Sequence, residues 1–351
     1  MAELLKSTAA GLLIGGRDPA TLDSVAAESG SRVSAQRVDV LDEASLDAFC
    51  RRCSVILNGA GPVQRLEDRV AQAAFRNRRH YVDAAGMGVV KERMLPHDSE
   101  IAAAGLSFVI SAGWTPGLTE LLPVYAYAQA KSRMDSVESV RVYSSDSGEW
   151  SVNALRDGVA FIRRGGLLKP GYFRKGEWIR AGTSEASEKI ALDDPIGWRR
   201  FSLFSMPELN DIGRRLVDCE FRSYAYLSGF QNAAAAIGIA LLPLSENFEV
   251  RLLRNMFRRN RLPVAGFAEV RVLGHSEGRR ATFKTRITFD TGQHYWMNAI
   301  ALTTIARMVA AGNAVRPGVR YLSDAVDAIL AMSELRRAGV QQTEGFAVCN
   351  S

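Results

Sequence analysis

The stretch GLLIGGRDPATLDSVAAE, Gly11–Glu28, decides the fold. An apolar run, Leu12 to Ile14, ends in two glycines and Arg17. Asp18 can cap a helix whose first position suits Pro19. Leu22, Val25 and Ala26 then share one helical face. The stretch therefore reads as strand, sharp turn and helix. The same unit recurs outward from it. Ser31–Val40 reads as a strand, and DEASLDAFCRR as a helix capped by Asp42. Ser54–Gly61 is an apolar strand that runs into glycines, and a helix is expected over Leu66–Arg78. His80–Gly86 is a further strand and turn. A helix around Glu92–Ala104 leads into the strand and turn of Leu106–Gly117. LTELLPVYAYAQA is then apolar at helical spacing, with Pro123 inside it. Strands that alternate with helices over short connections, and that read as apolar runs, predict a parallel sheet covered on both faces.

The pattern changes after Lys131. SVESVRVYSSDSG and RRGGLLKPGYFRKGEWIRAG carry the glycines and aromatics of antiparallel strands and turns. Ala265–Gly292 alternates polar and apolar residues on either side of GHSEGRR and predicts a hairpin. A helix over Trp296–Ala311 and the segment RPGVRYLSDAVDAILAM come next. The expected architecture is α/β: a Rossmann-type parallel-sheet domain with an inserted α+β substrate domain. The first is expected over residues 1–123 plus about 300–340, and the second over 124–299.

Composition narrows the function. The chain has 351 residues, 47% hydrophobic and 23% charged, with a net charge of +6; of its 44 basic residues only 7 are Lys. A mildly basic balance suits an anionic ligand such as a phosphorylated cofactor, and no nucleic-acid recognition motif accompanies it. Cys50 and Cys53 have the C-x-x-C spacing, but a zinc site needs a second ligand pair, so no metal is expected. Without a disulfide framework or a signal peptide, the expected compartment is the cytoplasm. The longest uncharged run, Ser223–Ser245, is interrupted by Gln231 and Asn232. Only Ala233–Leu242 is strictly apolar, well short of the roughly 20 residues of a spanning helix. A buried or substrate-facing helix is expected there, with no stable membrane insertion. RLLRNMFRRNRLP (Arg251–Pro263) is a basic amphipathic stretch, read either as a solvated helix face or as a surface for nucleic acid or membrane.

In open parallel sheets, ligands sit beyond the carboxyl ends of the strands. Arg17 follows the first strand, where an acidic residue would bind both ribose hydroxyls of NAD and an arginine instead pairs with the 2′-phosphate of NADP. Asp39 ends the next strand and either accepts from an adenine amino group or caps its own turn. Asn58, Gly59, Ala60, Gly61 and Pro62 end the third, where glycines let backbone pass close to ribose and nicotinamide. Asp83, at the tip of HYVDAAG, is the candidate catalytic group, placed to orient substrate or relay a proton. Its alternative reading is a cap or structural acceptor. Gly86 closes that turn, and Trp114–Gly117 is expected to wall the nicotinamide. His294 and Tyr295, at the start of the last long helix, are further acids or packing residues.

GRDPATL, RVDVLDEASL, VILNGAGP, HYVDAAG and GWTPGLTELL resemble, in order and spacing, the saccharopine dehydrogenase family of the saccharopine reductase type. The resemblance is strong from Gly11 to about Leu122. It implies an N-terminal domain that binds NADP(H) or NAD(H) and a second domain over a small-molecule substrate; a homodimer is expected. Three departures stand out. The family's D-P-G turn is Thr115-Pro116-Gly117 here, and Met87 replaces a Glu that often follows Y-V-D-x-x-G. The family also opens with a strand and G-x-G-x-x-G, whereas AELLKSTAA here reads as the tail of the helix after that loop. The first strand is thus expected to be missing, through a mis-assigned start, supply by another chain, or loss of cofactor binding. The expected function is an NADP-dependent oxidoreductase acting on an imine or amino acid, a carbonyl or an enoyl group in specialised metabolism. The alternative is a non-catalytic or redox-neutral relative whose crevice takes another ligand or a partner.

Overall fold

Capped turns start the first elements where the sequence places them. The computed structural model describes residues 11–146, 148–164, 170–226, 229–260, 262–290 and 292–349; the reading of AELLKSTAA falls outside them. The chain divides into two compact units, Met1–Gly117 with Asn298–Ala338, and Leu118–Met297 with Gly339–Ser351.

The first unit begins β1 (Leu12–Gly16), α1 (Pro19–Ser29), β2 (Val33–Arg37), α2 (Glu43–Cys50) and β3 (Val55–Asn58). It continues α3 (Val63–Leu66), α4 (Arg69–Arg76), β4 (His80–Asp83), α5 (Met87–Met94), α6 (Asp98–Ala103) and β5 (Ser107–Ile110). Asp18 caps α1 by accepting from the Ala20 N–H at 3.2 Å, and Asp42 caps α2 through the N–H groups of Ala44 and Ser45. The helix expected over Leu66–Arg78 is instead two, broken at Glu67, which takes φ 52°. The helix expected around Glu92 starts earlier, at Met87, and breaks into a 3-10 turn at Leu95–His97. Pro96 lies in that turn and has no N–H to continue an α-helical ladder.

Parallel pairing forms two sheets here. β1 and β2 pair from Leu12↔Val33 to Gly16↔Arg37. The other sheet runs in the order β14-β5-β4-β3, with β14 the strand Gly318–Tyr321 returned from late in the chain. Among the described residues, β1 and β3 each pair along one edge only. α2 ties the sheets together. Its Leu46 and Cys50 enter one core with Val38, just past β2, and with Ile56, Tyr81 and Phe108 of the four-stranded sheet. β14 is four residues long, too short for periodicity to separate it from the helical pattern around it.

The second unit starts with α7 (Leu118–Lys131), β6 (Ser136–Asp146), α8 (Val152–Arg163), β7 (Gly171–Arg174), β8 (Glu177–Arg180), β9 (Ser187–Leu192) and β10 (Gly197–Leu203). Then come α9 (Pro207–Arg215), β11 (Glu220–Ala225), α10 (Gly229–Leu241), α11 (Glu246–Arg259), β12 (Gly266–Ser276) and β13 (Arg279–Phe289). α12 (His294–Ala310) leads back to β14, α13 (Leu322–Ala325) and α14 (Ala328–Arg337), and β15 (Gln342–Val348) rejoins the second unit. Nine strands form one sheet on the path β15-β13-β12-β6-β11-β10-β9, with β7 and β8 attached at β11. The hairpin read over Ala265–Gly292 is β12–β13, turned at Glu277 and Gly278 with both φ positive, as a tight two-residue turn requires. The sheet is mixed rather than antiparallel throughout, because β6 and β11 pair in parallel. α8, α10 and α11 gather a separate core around Leu155, Val159, Ile239, Leu253 and Met256.

One face of this sheet buries charge. Glu269 is fully buried and accepts from Arg271 Nε at 2.7 Å and from Arg286 Nε at 2.7 Å. Arg286, itself buried, also reaches the carbonyl of Asp193. Removing one partner of such a network strands the others without compensation. Glu269→Ala is expected to destabilise this unit by about 3–5 kcal/mol, seen as a lower midpoint for its transition in scanning calorimetry. An unchanged midpoint would show that solvent reaches the two guanidinium groups.

Candidate active site

The candidate cofactor residues and Asp83 lie at or just past strand ends, because a parallel strand followed by a short turn presents its last residues beyond the sheet. The structure sorts them into two sets.

The first set is at the tip of β1–β2. Arg17 is exposed, directly after Gly16, and makes no hydrogen bond or ion pair among the described residues. Gly15 is small for an internal reason: a Cβ there would lie 2.8 Å from the Phe49 ring. Asp39 accepts from the Leu41 N–H at 3.0 Å, so one oxygen caps its own turn. The sequence reading missed Arg37. It stands opposite Gly16 in the β1–β2 register, exposed, and likewise has no partner among the described residues. Two uncompensated arginines thus meet at one strand tip. The only sequence signal for Arg37 was its place two residues before Asp39.

The second set is at the tip of the four-stranded sheet. Asn58 stands opposite Asp83 in register. Its Nδ2 donates to the Tyr81 hydroxyl at 3.0 Å, and its Oδ1 accepts from the Ala60 N–H at 3.0 Å. Asn58 therefore shapes its own turn. Gly59 leaves open space, with no atom within 4 Å of where a Cβ would stand. Pro62 is the residue before α3. Gly61 follows Ala60, and the bond from Gly61 to Pro62 is cis.

Asp83 organises the rest. Its side chain is 1% exposed. Oδ1 accepts from the Ser111 N–H at 2.9 Å and from the Gly86 N–H, and the Asp83 carbonyl accepts from Ala112 N–H at 2.7 Å. One carboxylate thus joins the loops after β4 and β5. Gly86 is required by this contact, since a Cβ there would fall 2.2 Å from Asp83 Oδ2. Burial pushes the Asp83 carboxyl up to about 6, against the downward pull of its backbone donors. Ser111 and Met87 both adopt left-handed backbone, φ 63° and 52°, and are joined by a bond from Met87 N–H to Ser111 Oγ at 3.0 Å. Non-glycine residues in that region cost about 1–3 kcal/mol each and persist where the surroundings over-determine them.

The Trp114–Gly117 turn continues this tip. Trp114 is buried at 1% exposure, so its ring is core rather than an open wall; Thr115 is the residue of the turn that retains exposure. The turn is anchored by Asn298, whose Oδ1 accepts from Trp114 N–H at 2.9 Å. Gly113 must lack a side chain, because a Cβ would meet Ala84 O at 2.5 Å. Asn298 lies 184 residues from Trp114, and no local pattern could have found it.

The other candidates are placed elsewhere. Cys50 is buried in the core, where burial raises its thiol to about 11 and keeps it protonated. His294, in the second unit, has Nδ1 3.1 Å from Asp146 Oδ2, with both side chains largely buried. Among the described residues, no helix is long and apolar enough to cross a membrane.

The donor set at the first tip fits a phosphate monoester: two exposed guanidinium groups with no acid of their own. The open space at Gly59 fits backbone approach by a ribose. The yeast protein described as apo saccharopine dehydrogenase (L-Glu forming), from Saccharomyces cerevisiae, superposes with a TM-score of 0.65 at 13% identity, over 98% of this chain and 96% of that one. A probable dehydrogenase from Thermotoga maritima gives 0.50 at 9% identity, over 96% and 90%. At such identities these likenesses show the fold. The family model described as the saccharopine dehydrogenase NADP binding domain matches residues 1–109. This chain therefore resembles the saccharopine dehydrogenase family over its NADP-binding domain, residues 1–109.

Proposed function

We propose that the protein is an NADP(H)-dependent oxidoreductase acting on a small imine, amino acid, carbonyl or enoyl compound. The observation that carries the cofactor choice is the pair Arg17 and Arg37, exposed and uncompensated at the tip of β1–β2. NADPH, when bound, supplies a hydride. The chain's own residues bind and position. Arg17 and Arg37 take the 2′-phosphate, and Asp39 keeps one carboxylate oxygen for the adenine side while the other holds its turn. Asn58 to Pro62 present open backbone toward the ribose and nicotinamide. Asp83 acts as a positioning residue: buried, it sets the Gly86 and Ser111 loops that bound the reacting centre. Thr115 stands where the family has an aspartate, so a hydroxyl replaces a carboxylate at the partly exposed position of that turn. That exchange supports a substrate other than saccharopine.

Binding of NADPH by the 351-residue chain, followed by nicotinamide fluorescence, tests the reading. Arg17→Ala and Arg37→Ala are each expected to weaken NADPH by about 10- to 100-fold while leaving NADH within about threefold, as loss of one charge-assisted phosphate contact predicts. Equal losses for both cofactors would remove the 2′-phosphate assignment. Absence of NADPH binding in the parent chain would favour the redox-neutral alternative.

Asp83 makes a separate prediction about stability. Its folded carboxyl titrates near 6, above the ordinary 3.8, so the native state holds a proton that the unfolded chain releases between those values. Stability then falls as pH rises through that window and levels above it. Asp83→Asn keeps an acceptor for Ser111 and Gly86 and is expected to flatten this pH dependence. Asp83→Ala leaves two buried N–H groups without an acceptor and should cost about 2–5 kcal/mol. Melting curves across that pH range read both, and identical pH profiles for parent and Asn variant would contradict the assignment.

A further inference from the structure

The face formed by α10 and α11 has no part in the chemistry described above. Its inner side packs against α8. Its outer side exposes large apolar groups at the end of α10 and the start of α11: Ile237 at 47%, Leu241 at 69%, Leu242 at 53% and Phe248 at 44%. The run from Ser223 to Ser245 carries no charged residue; Arg222 precedes it and Glu246 follows it. The uncharged run thus does not end up fully buried, and its most apolar end points to solvent. Such a patch on a folded domain marks an interaction surface.

Charge identifies what meets it. α8, α10, α11 and their flanking residues (152–164 and 229–260) carry seven arginines against three acids. Two of the acids are already committed. Glu246 pairs with Arg156 at 2.5 Å, and the buried Glu249 pairs with Arg163. Arg163 also donates to the Leu242 carbonyl at 3.2 Å, so this guanidinium lies beside the apolar tip. The side chains of Arg164, Arg251 and Arg254 are exposed and make no hydrogen bond or ion pair among the described residues. A second copy packed face to face across a two-fold axis would bring this excess of positive charge against itself, which is costly. An anionic bilayer surface offers both complements at once: acyl chains for the leucines and phenylalanine, and phosphates for the arginines.

We propose that the α10–α11 tip is a peripheral docking site for an anionic phospholipid membrane. Leu241, Leu242 and Phe248 enter the headgroup boundary, while Arg164, Arg251 and Arg254 contact lipid phosphates. The helices do not span the bilayer. Docking is reversible and sensitive to salt.

The test is co-sedimentation of the full chain with phosphatidylcholine vesicles and with vesicles that also contain phosphatidylglycerol. The parent protein is expected to bind the anionic vesicles and to be released by high salt. Leu241→Ser with Leu242→Ser should lower the partition coefficient about tenfold or more. Arg251→Gln with Arg254→Gln should lower it about tenfold on anionic vesicles and leave any binding to neutral ones unchanged. All four side chains are exposed, so both variants should keep the parent melting temperature; if the leucine variant does not, the arginine variant carries the test. No binding of the parent to anionic vesicles, or binding that neither variant weakens, overturns the proposal. So does a dimer in light scattering that the leucine variant dissolves, which would assign the face to a second copy.

Discussion

A single buried carboxylate holds the tip of the four-stranded sheet. Asp83 fixes the backbone after β4 through Gly86 and the backbone after β5 through Ser111 and Ala112. Those two loops contain the left-handed Met87 and Ser111, the glycine contact at Gly113 and the anchored Trp114 turn. A carboxyl that accepts from two backbone N–H groups, beside a main-chain carbonyl that holds Ala112, cannot move far to meet a ligand. Its burial raises its affinity for a proton, and its neighbours hold it in place regardless. In the proposed function, Asp83 therefore assembles the surface that meets substrate, and residues around it, Thr115 among them, present it.

The proposed cofactor tip is the converse case. Arg37 is held by its backbone pairing with Gly16 and Arg17 follows directly after, and neither has a side-chain partner among the described residues. Compensating them with acids would have steadied the turn and abolished the proposed phosphate site, since a phosphate competes poorly with a carboxylate already in place. The glycines divide along the same line. Gly15, Gly86 and Gly113 are small because the protein itself fills the space, while Gly59 is small beside space that stays open.

The second unit uses charge differently. Across its sheet, several cations are matched with acids: Arg141 with Glu188, Arg222 with Glu220, Lys284 with Asp193, and Arg271 and Arg286 with Glu269. Such pairing stabilises a defined arrangement and leaves little net attraction for a ligand. The α8–α10–α11 cluster departs from that rule, with its excess of arginine beside exposed leucine. The contrast separates a framework from a surface that meets something else.

Local chemistry made much of the first unit legible. Asp18 and Asp42 cap the helices they precede, the apolar runs become β1, β3, β4 and β5, and Arg17 stands after β1. Each depends on a few neighbouring residues, and so each is written in a short stretch of sequence. The breaks at Glu67 and Leu95–His97 were hidden, because apolar residues recur at helical spacing on both sides of a short break. The four-residue β14 was hidden by its length. Three residues of the site were invisible for a common reason. Arg37 matters through its register with β1, Ser111 through the Asp83 carboxylate 28 positions earlier, and Asn298 through a turn 184 positions away. The sequence by itself determined the order of elements and the charge at the first strand tip, because propensity and composition act locally. Only the tertiary structure decided that Asp83 would be a buried brace, that Trp114 would be core and that Leu241 would face water, because burial depends on which distant segments pack there.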